Sequence, residues 1–427
     1  MGMSQEIGTA KIFSLKDKNI IGVNPPVEDF AFFDLWSKPL GLLYLLERMR
    51  GNGNHVKLID CVHEGAAGEK SFGCEKINSS PIEKPAVYSG IKKNYHRFGV
   101  DEAAFRARLS SAEEPDYILL TSIMTYWYGG VKWAIDIIRG QLPGVPIILG
   151  GIYARLCPEH ALTLGADFVV TDSWQPDVSR PAMDLYGIPP YGVTMTSFGC
   201  PLSCEYCASR LLWPIYHRRS SKEVIEEIAF QRELGVNDVA FYDDALLLDK
   251  ENCFYPICAE LKRRYGGVLR LHTPNGLHVR QIDDRCAEVM KESGFATIRL
   301  SLESIDPKVE ATGSGKVARG EYAAAVKRLR GVGYGRDDCE TYILLGLPGQ
   351  SAESVKDTIK FVHDCGGKPK LAEFSPIPGT KSFAMAVKRF PALASEPLLQ
   401  NNSVYSTWIS GELSPGTLQE LRDLARV

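Results

Sequence analysis

YGVTMTSFGCPLSCEYCAS, residues 191–209, runs an apolar strand directly into a turn-rich loop that carries Cys200, Cys204 and Cys207. The spacing is C-x3-C-x2-C. With 11 cysteines in 427 residues, chance would place such a triplet roughly 0.007 times per chain. Three thiolates on one short loop can grip three irons of a cubane cluster and leave the fourth iron open for chemistry. Structural zinc is the first alternative, but it takes four closed ligands. No fourth Cys or His stands at a usual spacing, His217 lying ten residues beyond Cys207. Buried apolar thiols are the second alternative. Gly199, Pro201 and Ser203 speak for a loop and against a core stripe.

Outward from this loop, strand and helix alternate, as in parallel α/β sheets. After YGVTMTS, the strands read DVAFYDD, LRLHTPN, ATIRLSLES, ETYILLGLPG and LAEFSPIPG, with helical segments such as SSKEVIEEIAFQRELG and RGEYAAAVKRLRGVG between them. Six β/α steps predict a partial (β/α)6 TIM-type barrel over residues 191–382. The first part repeats the alternation with IIGVNPP, HVKLIDC, DYILLTS, VPIILGG and ADFVVTD as strands. KPLGLLYLLERMRGNG and VKWAIDIIRGQL have the 3.6-residue apolar period of helices. Residues 1–172 are therefore expected to form a doubly wound, Rossmann-like domain. The Pro-rich stretch 173–190 reads as a linker, and 383–427 as a small helical tail. Residues 64–97 are polar, rich in Gly, Ser and Pro, and too long for a simple connector. They predict a functional loop or an excursion.

Composition narrows the function. The chain is 44% apolar and 24% charged with a net charge of −3, which argues against a nucleic-acid face or an anionic membrane surface. No apolar run reaches the ~18 residues of a membrane span, and the N-terminus has no signal-type apolar region. Eleven cysteines without a dense, even framework suggest free thiols in a reducing, cytoplasmic setting.

The second half resembles the radical SAM superfamily over nearly all of residues 190–380. The resemblance rests on CPLSCEYC, with its aromatic Tyr206 before the last cysteine, and on FYDDALL, TIRLSLES, YILLGLPGQSAESVKDTI and SPIPGT in family order. It implies a [4Fe–4S] cluster on Cys200, Cys204 and Cys207, with S-adenosylmethionine (SAM) chelating the open iron. It also implies reductive cleavage of SAM to a 5′-deoxyadenosyl radical, a small-molecule substrate and a flavodoxin- or ferredoxin-type reductant. Strand C-terminal ends face the site in such barrels. The candidates to bind SAM are thus Tyr206, Asp243, Asp244, His272, Asn275, Ser301, Glu303 and Gly346. The carboxylates suit the ammonium and ribose hydroxyls, and Gly346 allows backbone approach to the adenine. Arg210, His217, Arg218 and Arg219 follow the cluster loop, facing an anionic substrate, a redox partner or solvent.

The first half is similar to the cobalamin-binding domains fused ahead of such barrels, in KPLGLLYLLERMRGNGNHVKLID and GGIYARLCPEHALTLGADFVV. Open α/β sheets bind ligands at the carboxyl ends of their strands. The candidate cobalamin contacts are Asn24, Thr121, Ser122, Thr125, Tyr126, Gly150 and Gly151. The D-x-H-x-x-G signature that supplies a histidine to cobalt is absent, because DCVHEG places His63 one position late. The resemblance leads to cobalamin-dependent methyl transfer to an unactivated carbon, one SAM giving the methyl and a second the radical. The alternatives are radical rearrangement, cyclisation or oxidation beside an empty cobalamin-like domain, and a non-catalytic iron–sulfur redox sensor.

Overall fold

The computed structural model describes residues 4–111, 113–312 and 317–427. Two compact units divide the chain. The first holds the N-terminal part to Pro190 together with Ala392–Asn401; the second holds Tyr191–Pro391 and Asn402–Val427.

The sheet of the first unit contains β1 (Gln5–Ile7), β2 (Asn19–Asn24), β3 (His55–Asp60), β4 (Tyr117–Leu120), β5 (Ile147–Leu149) and β6 (Phe168–Val170). Its spatial order is β1-β6-β5-β4-β2-β3 and every pairing is parallel. The two-residue period of a strand sends neighbouring side chains to opposite faces. Ile20, Leu119, Ile148 and Val170 pack under the helix Leu40–Gly51 with Leu42, Leu46 and Met49. Ile21, Ile118, Leu120, Ile147, Leu149 and Val169 pack on the other face with Val131, Ala134, Ile135 and Ile138 of the helix Tyr128–Gln141. Both faces are covered, so the sheet is doubly wound. Winding reverses between β2 and β4, which makes their carboxyl ends the topological switch point.

Strand β1 has too few apolar residues to stand out in sequence; it is held by its ladder to β6, Gln5 opposite Phe168. The 64–97 excursion contains a hairpin, Ala66–Ser71 with Cys74–Ile77, and an antiparallel set in which His96–Phe98 pairs with both Ser79–Pro81 and Val27–Asp29. The stretch 173–190 is packed on this unit. Ala182 sits in the core and donates its N–H to Leu43 O at 3.1 Å, and the Tyr186 phenol donates to Asp60 Oδ2 at 2.6 Å.

In the second unit β7 (Gly192–Thr194), β8 (Asp238–Phe241), β9 (Arg270–His272), β10 (Leu277–His278), β11 (Phe295–Glu303), β12 (Cys339–Leu345) and β13 (Lys368–Glu373) form one parallel sheet. The order β7-β8-β9-β11-β12-β13 follows the chain, with β10 pairing on β11. This is the open six-step barrel. The last strand starts earlier than LAEFSPIPG suggests, because Lys368–Glu373 is the run in register with Glu340–Leu345. The apolar core gathers strand residues such as Val239, Leu271, Ile298 and Ile343 with helix residues such as Ile228, Ile257 and Ile359. The tail is divided: Ala392–Asn401 belongs to the first unit, whereas the helix Pro415–Arg426 contributes Leu418, Leu421 and Ala425 to the barrel core. Among the described residues no helix is long and apolar enough to cross a membrane.

Candidate functional site

A cleft enclosing about 690 Å³, open to solvent, lies in the second unit. Its lining brings together Cys200, Cys204, Tyr206 and Cys207 from the loop after β7, Asp244 from the end of β8, Asn275 after β9, and Ser301 and Glu303 from β11. Residues far apart in the chain therefore share one wall because successive parallel strands end side by side.

Among the described residues, no three His, Cys, Asp or Glu side chains converge as on a single metal ion. A cubane does not require that convergence, since each cysteine takes its own iron. Burial beside Asp244 and the other two thiols pushes the Cys207 thiol up to about 11, even though its side chain is the exposed one of the three. Desolvation by the loop around the sulfur outweighs the Ser209 N–H, which donates to Sγ at 3.4 Å. A thiol held this way gives up its proton when a metal arrives. Three thiols that line one cleft together with two carboxylates fit a three-cysteine cluster with an open position.

Asp244 accepts the Ser209 hydroxyl at 2.6 Å, which ties the cysteine loop to the segment after β8. Asn275 donates Nδ2 to Tyr242 O at 2.7 Å, bracing the next strand end. Glu303 has φ of +66°, and the β11–β12 register slips between Ser301 and Glu303. A left-handed backbone at a charged residue costs free energy and is kept where surrounding structure imposes it. The Tyr206 phenol is held well above its ordinary range by burial, then by the negative charge of Glu303 and the Cys204 thiol. It stays protonated between them.

Three candidates lie elsewhere. Asp243 is buried, accepting Thr196 N at 2.9 Å, Thr196 Oγ1 at 2.5 Å and Ser197 Oγ at 2.8 Å. Its carboxylate is spent on the β7 loop, and burial still raises its pKa. His272 is fully buried between Asp238 at 3.0 Å and Thr297 Oγ1 at 2.9 Å. Gly346 has φ of +84° and carries no Cβ because one would stand 2.6 Å from Ser406 Cβ, so packing against the tail explains this glycine. Sequence reasoning missed Leu202, Ser203, Ser209, Gly276 and His278 as lining residues, and placed Arg210 only as a candidate for substrate, partner or solvent. A Cβ at Gly276 would stand 2.1 Å from Ser301 Oγ. The Pro274–Asn275–Gly276 turn was the available signal for it.

Residues 194–362 match the radical SAM superfamily. The chain carries a radical SAM domain. A stretch of 214 residues is 32% identical to an uncharacterised methyltransferase of Pyrococcus horikoshii, covering 48% of this chain and 44% of that protein; the chain thus spans less than half of that relative's length. In solved structures, TsrM of Kitasatospora setae, a radical SAM methyltransferase seen with cobalamin and a [4Fe–4S] cluster, has the same fold at TM-score 0.64 and 13% identity, over 88% of this chain and 75% of its own. The cobalamin-dependent radical SAM enzyme OxsB matches at TM-score 0.55 and 12% identity, over 91% of this chain and 57% of its own. The fold likeness thus extends beyond the radical SAM domain to the doubly wound unit ahead of it.

That unit has a smaller cleft of about 370 Å³ at its switch point, lined by Asn24, Pro25, Pro26, Val27, Phe32, Ser37, Val62, Ser122, Ile123, Trp127 and Val131. Asn24 and Ser122 are in the wall; Thr121, Thr125, Tyr126, Gly150 and Gly151 are not. Tyr126 is buried. Gly151, at φ +93°, presses on the backbone of Ser122, whose O would lie 2.4 Å from a Cβ. Its smallness serves loop packing. His63 is hydrogen-bonded through Nδ1 to Glu75 Oε2 at 2.7 Å and is also absent from the cleft.

Proposed function

We propose that this protein is a SAM-cleaving radical enzyme that methylates an unactivated carbon of a small-molecule substrate with the help of cobalamin. The observation that carries the reading is the shared wall of Cys200, Cys204, Cys207, Asp244, Asn275, Ser301 and Glu303. Cys200, Cys204 and Cys207 would hold the cluster, which would supply the electron for reductive cleavage of SAM, and cobalamin, when bound, would supply a methyl carrier.

The chain's own residues bind and orient. Asp244 and Glu303 accept charge-assisted hydrogen bonds from the SAM ammonium and ribose hydroxyls, and Asn275 and Ser301 add neutral partners. Tyr206, kept protonated, presents a hydroxyl between Glu303 and the cluster loop. In the first unit, an apolar wall of Pro25, Pro26, Phe32, Ile123 and Trp127 with polar Asn24, Ser37 and Ser122 would meet one edge of cobalamin, a group larger than this cleft. Likeness of that unit to cobalamin-dependent enzymes supports the same ligand.

Anaerobically reconstituted protein given dithionite and SAM is expected to release 5′-deoxyadenosine and methionine. Absence of both overturns the radical reading. Corrin absorption retained after gel filtration supports methyl transfer, and its loss moves the assignment to radical chemistry without it.

A further inference from the structure

The segment Ala392–Asn401 folds into the first unit although the chain has by then passed through most of the second. Leu393 and the stretch from Pro397 to Asn401 are buried, Leu393 and Asn401 being 0% exposed and Gln400 1%. Tyr88, from the 64–97 excursion, donates its phenol to Leu398 O at 2.6 Å. Tyr128 donates to Glu396 Oε1 at 3.0 Å. Asn401 donates Nδ2 to Asp29 Oδ1 at 2.9 Å.

Asp29 links this segment to the cleft. Its Oδ1 also accepts Phe30 N at 2.6 Å, and its Oδ2 accepts the indole Nε1 of Trp127 at 2.7 Å. Trp127 is a wall of the switch-point cleft and packs edge-on against Phe32, another wall residue, at 5.7 Å between ring centroids. The carboxylate is buried and its pKa raised by that burial, against the donors that lower it, Asn401 first among them. Removing the Asn401 amide leaves a buried acceptor short of a donor and favours the neutral acid, whose hydrogen-bonding pattern differs.

We infer that Asn401 is a positioning residue for the first unit's cleft, acting through Asp29 to hold Trp127 in the wall that receives the cofactor. The identity of that cofactor rests on the cobalamin reading; the coupling rests on the Asn401–Asp29–Trp127 geometry alone. The C-terminal segment thereby becomes part of a site otherwise built from the N-terminal unit.

The test uses the full-length reconstituted protein, with Asn401→Leu removing the donor at similar size. The Trp127 contribution to emission is isolated by difference against Trp127→Phe, and hydroxocobalamin is titrated by visible absorption. The inference expects a shifted Trp127 emission before any ligand is added, and hydroxocobalamin binding weakened about tenfold, the effect of losing one hydrogen bond to a charged group. Cluster absorption near ~400 nm stays as in the parent. Unchanged Trp127 emission in the folded variant overturns the coupling, and a shifted emission with unchanged affinity overturns the positioning role. If emission shifts while the parent protein itself does not bind hydroxocobalamin, the coupling holds and the cobalamin reading fails. Where Asn401→Leu does not fold, Tyr88→Phe loosens the same segment by one hydrogen bond. A smaller shift in the same direction is then expected, and no shift overturns the inference.

Discussion

The second unit's cleft takes its lining from the ends of neighbouring parallel strands and the loops after them, and it carries three thiols and two carboxylates. The first unit's cleft also lies at strand ends, but its walls are mostly Pro, Val, Phe, Ile and Trp, and its Trp127 is fixed from the far C-terminal segment through Asp29. In the second unit the thiols and carboxylates come from one contiguous loop and from regular strand ends. In the first unit the wall is mainly a matter of apolar shape, and that shape is assembled from segments distant in sequence.

The contrast can be broken most severely at the cysteines. Cys204→Ala is expected to abolish the ~400 nm absorption and all 5′-deoxyadenosine formation while leaving hydroxocobalamin binding in the first unit intact. Retained absorption would mean that other residues hold the cluster. A step smaller, Glu303→Gln should weaken SAM binding by roughly 10- to 100-fold, the worth of a charge-assisted hydrogen bond, read by equilibrium dialysis with the cluster in place. An unchanged SAM affinity removes Glu303 from the site.

Asp243→Asn sharpens the division of labour between adjacent aspartates. It should lower the thermal midpoint, a cost of about 1–3 kcal/mol for disturbing buried donors, with less effect on SAM affinity than Asp244→Asn. The reverse ranking would place Asp243 in the cleft. The smallest effect expected is a pH dependence at His272. Burial lowers its pKa below the ordinary 6.5 against the pull of Asp238. The unfolded chain therefore takes up the proton first, and stability falls as pH drops below about 6.5, by at most about 1.4 kcal/mol per unit, until the folded value is reached. His272→Asn should flatten that slope in urea titrations at pH 5 to 7. An unchanged slope would assign it to other groups.

The cysteine loop could be read from sequence because its three thiols lie within eight residues, Cys200 to Cys207, and a loop needs no tertiary context to keep them near one another. Asp244, Asn275, Ser301 and Glu303 were legible as strand-end positions. Asp243 and His272 stand at equivalent strand-end positions but are not among the residues that line the cleft. Side chains alternate between two faces of a strand, and without the register one cannot tell which of two neighbours meets the cleft and which meets Thr196 and Ser197. Gly346 and Gly151 looked like ligand glycines because the need for a missing Cβ is the same whether the close neighbour is a cofactor or, as here, Ser406 and Ser122.

By itself the sequence determined the two α/β units, their parallel sheets and the cysteine loop, since apolar periodicity and short-range spacing are local properties that survive without coordinates. Only the tertiary structure decided that β1 pairs with β6, that Leu202, Gly276 and His278 join the cleft wall, and that Asn401 reaches Trp127 through Asp29. Those outcomes depend on which distant segments bury one another, and a buried hydrogen bond between residues 29 and 401 leaves no periodic trace in the chain.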